Sequence, residues 1–416
     1  AMAIIRLWKL ILAASLIGLS KAGTMVKEGS QCTLAPGGEG VDDSQAIVDA
    51  FDQCGQNGHV IFQNATYHIE RVLNTTGLSN CTVDIQGTLL WGTDIKYWLN
   101  NSLPLGYQNQ SSAWFLGGTN LNVRGFGRGT FDGNGQVWYD YSAGISNLKG
   151  RPHALTIWNT KNSTFQGIRF VQSQMWVMTV AHSEDVILED IYVSIKSNSS
   201  AGTRNTDGAN TLASNRITFR NWEVNNGDDS IGKKCADLLL QLTGQYNGIY
   251  EYIDNVVARN ISCIRTNFAS YIKTWTGIQQ GYPPNGGGGG IGVVRNLGKA
   301  SLNRAPRKYS NLYQVFTDFS LSRIRSMPIQ ITQCTSFQGA TGGCDTSTLQ
   351  ISNVTWGPMT GTTNYDILAQ LQCSAVVDCK ELRFDSMSGI RGNTTSLKVN
   401  CSNVDSPIGF NCTGSV

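Results

Sequence analysis

The segments STFQGIRF at 163–170, VILEDIYV at 186–193, ITFRNWEV at 217–224 and VVARNISC at 256–263 share one form. In each, apolar β-branched or aromatic side chains flank a central Gly167, Asp190, Asn221 or Asn260. Residues of the first kind read as strand, and glycine, aspartate or asparagine in the middle suits a strand that turns a corner. VFTDFSL at 315–321 and LQISNVTW at 349–356 repeat the form. Phe165 and Leu188 stand 23 residues apart, close to one coil of a β-solenoid, whereas a sandwich would space its strands by roughly 8 to 12 residues. Leu188 to Phe219 is 31 residues, one coil with a longer loop, and that loop holds Asn205-Thr-Asp207-Gly. One coil cannot bury its apolar face alone, so stacking creates a single continuous core. The reading is an all-β solenoid forming one domain over 23–416. A helix over 44–54, with Ala46, Ile47, Ala50 and Phe51 on one face and Asp42 or Asp43 as cap, is expected to close one end.

The ends and the composition bound the setting. Residues 2–22 begin with Met2, carry Arg6 and Lys9, run through LILAASLIGL and finish Ser20-Lys21-Ala22, the pattern of a cleaved secretion leader. The apolar run is about half the roughly 20 residues that a spanning helix needs, so no membrane partner is expected of the mature chain. Twelve Asn-x-Ser/Thr sequons agree with export. Eleven cysteines suit an oxidising compartment; the spacings of Cys334 and Cys344, Cys373 and Cys379, and Cys401 and Cys412 suggest local disulfides, with Cys81, Cys235 or Cys263 left as a free thiol. Without its leader the formal charge falls from +3 to about zero, which selects no partner. The single basic run, 295–308, lacks aromatic interleaving, which argues against nucleic acid. A monomer is expected. The glycine run 286–290 lacks the Lys-Ser/Thr of a phosphate loop and reads as a flexible rim.

Three motifs could carry chemistry: Asn205-Thr-Asp207-Gly, Asn226-Gly-Asp228-Asp229-Ser, and Tyr271-Ile-Lys273-Thr-Trp-Thr-Gly. Asp207 and Asp228 are 21 residues apart, near one coil, so stacking is expected to bring their carboxylates to one face. Cleavage of a glycosidic bond needs a protonated acid at the leaving oxygen and a base for water, and clustered like charges raise one pKa so that a proton stays available. Taken singly, each acidic motif is also ordinary turn chemistry. A calcium site is a further alternative, although the other oxygen ligands of a known loop are missing and no metal or cofactor is expected.

Through these motifs the sequence resembles glycoside hydrolase family 28, the pectin hydrolases. Asn205-Thr-Asp207-Gly, Gly227-Asp-Asp and Ile272-Lys273 match three of its four signatures, and GTFDGNGQVWY from Gly129 matches an upstream one. YIKTWTG, the glycine-rich loop after it and Ile331-Thr-Gln-Cys look like the exo-acting fungal branch. The resemblance implies an inverting hydrolase on a right-handed parallel β-helix, acting on terminal galacturonosyl linkages of pectin. It implies Asp228 as general acid, Asp207 and Asp229 as the pair that activates water, Lys273 as ligand of a sugar carboxylate, and Asn205 as the residue orienting Asp207. Inversion predicts carboxylates roughly 6.5 to 9.5 Å apart.

The chain departs from the family pattern in three places. Tyr271 stands where the family has arginine, replacing a carboxylate clamp by an aromatic that could stack on a sugar, so an exo-rhamnogalacturonan hydrolase is a second reading. The Gly-His-Gly signature is absent, and the last histidine is His182. Asn221 to Asn260 is 39 residues, which reads as a coil with a rung missing, and 294–310 reads as an insertion. A misplaced splice boundary would produce both, and a chain lacking a rung beside Asp228 would be a catalytically impaired pectin-binding β-helix.

Overall fold

The structure is a computed structural model that describes residues 23–142, 145, 148–226, 238–265, 267–280, 286–295, 314–336, 343–394 and 396–416. Thirty-two strands join in one sheet that winds as a right-handed parallel β-helix. Its axis is marked by one ladder of side chains, each paired in register with the next. Cys32, Val60, Val83, Val123, Phe165, Leu188, Phe219, Ala258, Phe316, Trp356 and Phe384 follow one another across eleven coils. All are buried. The pairs of equivalent residues read from the sequence, Phe165 with Leu188 and Leu188 with Phe219, are direct register partners.

The corners explain the central polar residues. Gly167, Asp190, Asn221, Asn260 and Asp318 all have positive φ, between 54° and 64°. Asparagine, aspartate and glycine tolerate this left-handed backbone best, which is why the strands carry them at that place. The asparagines also stack: Asn260 donates to Asn221 Oδ1 at 2.9 Å and Asn221 to Asp190 Oδ1 at 2.9 Å. A second corner three residues before the core ladder repeats the device, with Asn80 donating to Asn57 and Asn120 to Asn80, each at 2.8 Å. Asn353, read as an echo of the first corner, lies in this second one.

No rung is missing. Asn221 and Asn260 are hydrogen-bonded neighbours on adjacent coils, and Trp222 pairs with Ile261. The two stand 39 positions apart in sequence, and the described part of the intervening segment includes strands Leu238–Thr243 and Tyr250–Asp254. The first of these lies in a segment whose composition shows no strand alternation; pairing with strands on both sides holds it in place. Most of the expected insertion lies outside the described residues, but its first two positions close the strand Ile291–Arg295.

Helix α1, Ser44–Cys54, forms where expected and buries Ala46, Ile47, Ala50 and Phe51 over the first coil. Asp42 Oδ1 accepts from the Ser44 N–H at 2.9 Å, while Asp43 turns to Gly37 N and His68 N. Thr24–Glu28 pairs antiparallel with Gln31–Ala35 and completes this cap. The three expected disulfides form, and Cys32–Cys54 adds a fourth that ties the first coil to α1. Cys81 and Cys263 are buried free thiols, and Cys235 lies outside the described residues.

Candidate active site

One wall of the helix carries the motifs. Its consecutive parallel strands include Met178–Ala181, Ala209–Leu212, Leu238–Thr243, Ser270–Trp275 and Ile329–Thr335. Side chains alternate across a strand, so with Ala209 and Ile272 in the core, Asn210, Tyr271 and Lys273 face outward. Asn210 and Tyr271 share a register position two strands apart, about 10 Å along the axis at the usual inter-strand spacing.

Asp207 stands two residues before Ala209–Leu212, only 5% exposed. Its carbonyl accepts from Val177 N at 2.8 Å, which pins it to the preceding coil. Asn205 holds the left-handed φ of 53° that starts this turn. Thr206 Oγ1 donates to Thr203 O at 2.7 Å, and the carbonyl of Thr206 accepts from Nδ2 of the fully buried Asn226. The motif around Asp207 and the start of Asn226-Gly-Asp-Asp are therefore joined directly. Asp228 and Asp229 themselves, and with them the expected carboxylate separation, lie outside the described residues.

Lys273 and Tyr271 come together. The Lys273 ammonium lies 5.6 Å from the centroid of the Tyr271 ring, and Phe268 packs on the same ring at 4.7 Å. Tyr271 is half-buried, so its ring serves first to hold the ammonium rather than to present an open stacking face. Among the described residues Lys273 forms no ion pair, which leaves its charge available to an anionic ligand.

A strap that sequence reasoning missed roofs this face. Leu103–Pro104 and Ser111–Ser112 pair as a small hairpin, joined by Pro152–His153. Between them Tyr107 Oη accepts from Trp275 Nε1 at 2.7 Å, Gly106 O accepts from Tyr246 Oη at 3.0 Å, and Gln108 N donates to Gln245 Oε1 at 2.8 Å. Leu105, Tyr107, Phe115, Met175, Trp176, Ala181 and Leu212 form a second apolar cluster beneath it. Apolar residues on a face that the solenoid rule assigns to solvent are the one sequence signal that could have revealed a cover.

Beside Asp207 the structure gathers further polar residues that sequence reasoning did not select. His153 is fully buried and stacks on Trp176 at 4.4 Å. Gln110 Oε1 can only accept, so His153 Nε2 donates to it at 3.4 Å and Nδ1 accepts from Thr179 Oγ1 at 2.9 Å. Burial, and then the nearby Arg151 charge, push the imidazole pKa down to about 3, so the ring is neutral under mildly acidic conditions. Asn210 and Gln174 are both 1% exposed, and neither atom of either side-chain amide has a hydrogen-bond partner. Buried amides in that condition call for a further hydrogen-bond partner, a water or a ligand. No group of three potential metal ligands occurs among the described residues.

Comparisons with known proteins bear on the family and the fold. The model of "Glycosyl hydrolases family 28" matches residues 70–281. The chain is 44% identical to alpha-L-rhamnosidase rgxB of Aspergillus niger, covering 92% of this chain and 90% of that enzyme. It is 32% identical to an exopolygalacturonase of Cochliobolus carbonum, covering 90% and 84%. Among solved structures, endo-xylogalacturonan hydrolase from Aspergillus tubingensis superposes with a TM-score of 0.71 over 93% of this chain and 99% of that one, at 22% identity.

Proposed function

Because the chain belongs to glycosyl hydrolase family 28, we propose that it is an exo-acting, inverting hydrolase that removes terminal galacturonosyl residues from pectin. The observation that supports this reading is the buried Asp207 in a turn joined to Asn226, at the start of a strand two strands along the wall from the one that carries Lys273, whose ammonium forms no ion pair among the described residues. Asn226, which opens the second motif, is bonded to the Thr206 carbonyl beside Asp207.

In this mechanism the Asp228 carboxyl gives its proton to the glycosidic oxygen as the bond to the anomeric carbon breaks. Water attacks that carbon from the opposite face, and its proton passes to the Asp207 and Asp229 pair, which gives inversion. Asn205 orients Asp207, Lys273 receives a sugar carboxylate, and Asn210 and Gln174 offer their amides to sugar hydroxyls. The leader, the disulfides and the exposure of ten of the twelve sequons support secretion. The partner is a pectic polysaccharide, bound by a monomer.

A second reading, release of a terminal rhamnosyl or galacturonosyl residue from rhamnogalacturonan, is favoured by Tyr271 in place of a guanidinium and by the 44% identical relative. Reducing-end assays on polygalacturonate and on rhamnogalacturonan oligomers, with wild type, Asp207→Asn and Asp228→Asn, separate the two. Each substitution is expected to lower the rate on the true substrate by about 10²- to 10⁴-fold. Equal, low signal from all three proteins on both polymers would replace hydrolysis by binding alone.

A further inference from the structure

A cavity of about 340 Å³, separate from the wall that carries Lys273, is lined by Lys196, Asn225, Ile264, Arg265, Ser322 and Arg323. These residues belong to four consecutive coils, at or just after the ends of strands Glu184–Ser194, Asn215–Asn225 and Val257–Ile264 and within Gln314–Ile324. Lys196 and Arg323 are therefore spread over about 14 Å along the axis. The three cations form no ion pair among the described residues, in contrast to arginines elsewhere on the same coils. Arg216 pairs with Glu184 and Asp185, Arg220 with Glu189, and Arg259 with Asp318. Glu223, Asp228 and Asp229 are the acids close by in sequence, and none of them is among the residues lining the cavity, whose charged members are the three cations.

One detail argues that these cations have a use. Asn225 Oδ1 is buried with no hydrogen-bond partner. The cavity also adjoins the candidate site through the chain itself. Asn225 precedes Asn226, which is bonded beside Asp207, and Arg265 stands three residues before Phe268, which packs on Tyr271.

We infer that this cavity is an anion-binding subsite that holds carboxylates of the acidic polysaccharide beyond the sugar being released. The inference rests on the pectin-hydrolase reading for its ligand. Cations spread over several coils fit a row of carboxylates along a polymer, whereas a single compact anion would engage only part of them.

The test uses the mature chain with Asp207→Asn to prevent turnover, and calorimetric titration with a de-esterified galacturonate oligomer and its methyl-esterified counterpart. Adding Arg265→Gln and Arg323→Gln is expected to weaken the de-esterified oligomer about tenfold or more and leave the esterified one unchanged. Neither altered arginine is buried, so melting temperature serves as the folding control. Equal change for both oligomers, no change, or competition by inorganic phosphate as effective as the oligomer at matched ionic strength would each overturn the subsite. Its failure is distinct from failure of the hydrolase reading. Turnover of short substrates by the double variant in an Asp207 background, without an ester-dependent difference, removes the subsite alone. Absence of turnover on any pectic substrate, with the ester-dependent difference intact, removes hydrolysis alone.

Discussion

Replacing Tyr107 by phenylalanine isolates the fastening of the strap over the candidate site. Tyr107 is 2% exposed, and its hydroxyl accepts from Trp275 Nε1 at 2.7 Å. Burial holds the phenol well above its usual pKa, so it is neutral throughout the working range. The substitution keeps the ring and its contacts with Leu105 and Met175 but leaves a buried indole N–H without an acceptor, a cost of about 1 to 3 kcal/mol. The bonds from Tyr246 to Gly106 and from Gln108 to Gln245 remain, so the strap should loosen rather than detach. A penalty of that size confined to the strap raises its opening equilibrium by about 5- to 150-fold. Hydrogen exchange of amides in 103–112 should accelerate by that factor while the core-ladder strands keep their protection. A looser roof over Asp207 should also raise KM more than it lowers kcat. Unchanged exchange in the strap, or acceleration spread evenly over the ladder, would refute the reasoning.

Three other expectations follow from the same geometry. Lys273→Met keeps the stem against Tyr271 and removes the charge, so KM on de-esterified substrate should rise about 10- to 100-fold with little effect on the esterified form; equal loss on both would contradict carboxylate binding. His153 has a folded pKa of about 3, below its unfolded value near 6.5, so the unfolded chain takes up the proton first and stability is lost as pH falls from about 6.5 toward 3. His153→Gln should flatten that part of the stability profile in urea titrations, and parallel profiles would assign the loss to carboxylates. Phe219→Ala, facing Leu188 and the small Ala258 in the ladder and packed edge-on against Trp222, should cost about 3 to 5 kcal/mol in denaturant unfolding, and a loss below 1 kcal/mol would show that the neighbouring coils collapse into the space.

The solenoid was legible because its physics is local and repeated. Each coil must place an apolar residue at the same ladder position and a left-handed residue at the same corner, so Gly167, Asp190, Asn221 and Asn260 appear in the sequence as a pattern. Spacing alone misled only where a coil lengthened. The 39 residues from Asn221 to Asn260 looked like a lost rung because loop length is unconstrained by the stack, whereas the register of Trp222 with Ile261 is not.

The candidate site was legible in part for the same reason. Asp207, Asn205, Tyr271 and Lys273 sit in motifs whose residue types are unusual together, while coil arithmetic spoke only to Asp207 and Asp228. Tyr107, His153, Trp176, Asn210 and Gln174 carry no such signature. Their roles arise from a strap that meets residues more than 130 positions away along the chain, as Gln108 meets Gln245 and Tyr107 meets Trp275.

By itself, then, the order of amino acids determined the winding, the corner chemistry, the capping helix and three of the disulfides, since each depends on residues close in sequence or repeated at one period. Tertiary structure alone decided which outward residues are roofed, how far burial lowers the proton affinity of His153, and that Lys196, Arg265 and Arg323 share one cavity. Those properties depend on distances between coils and on the exclusion of water, and neither quantity is written in any single stretch of chain.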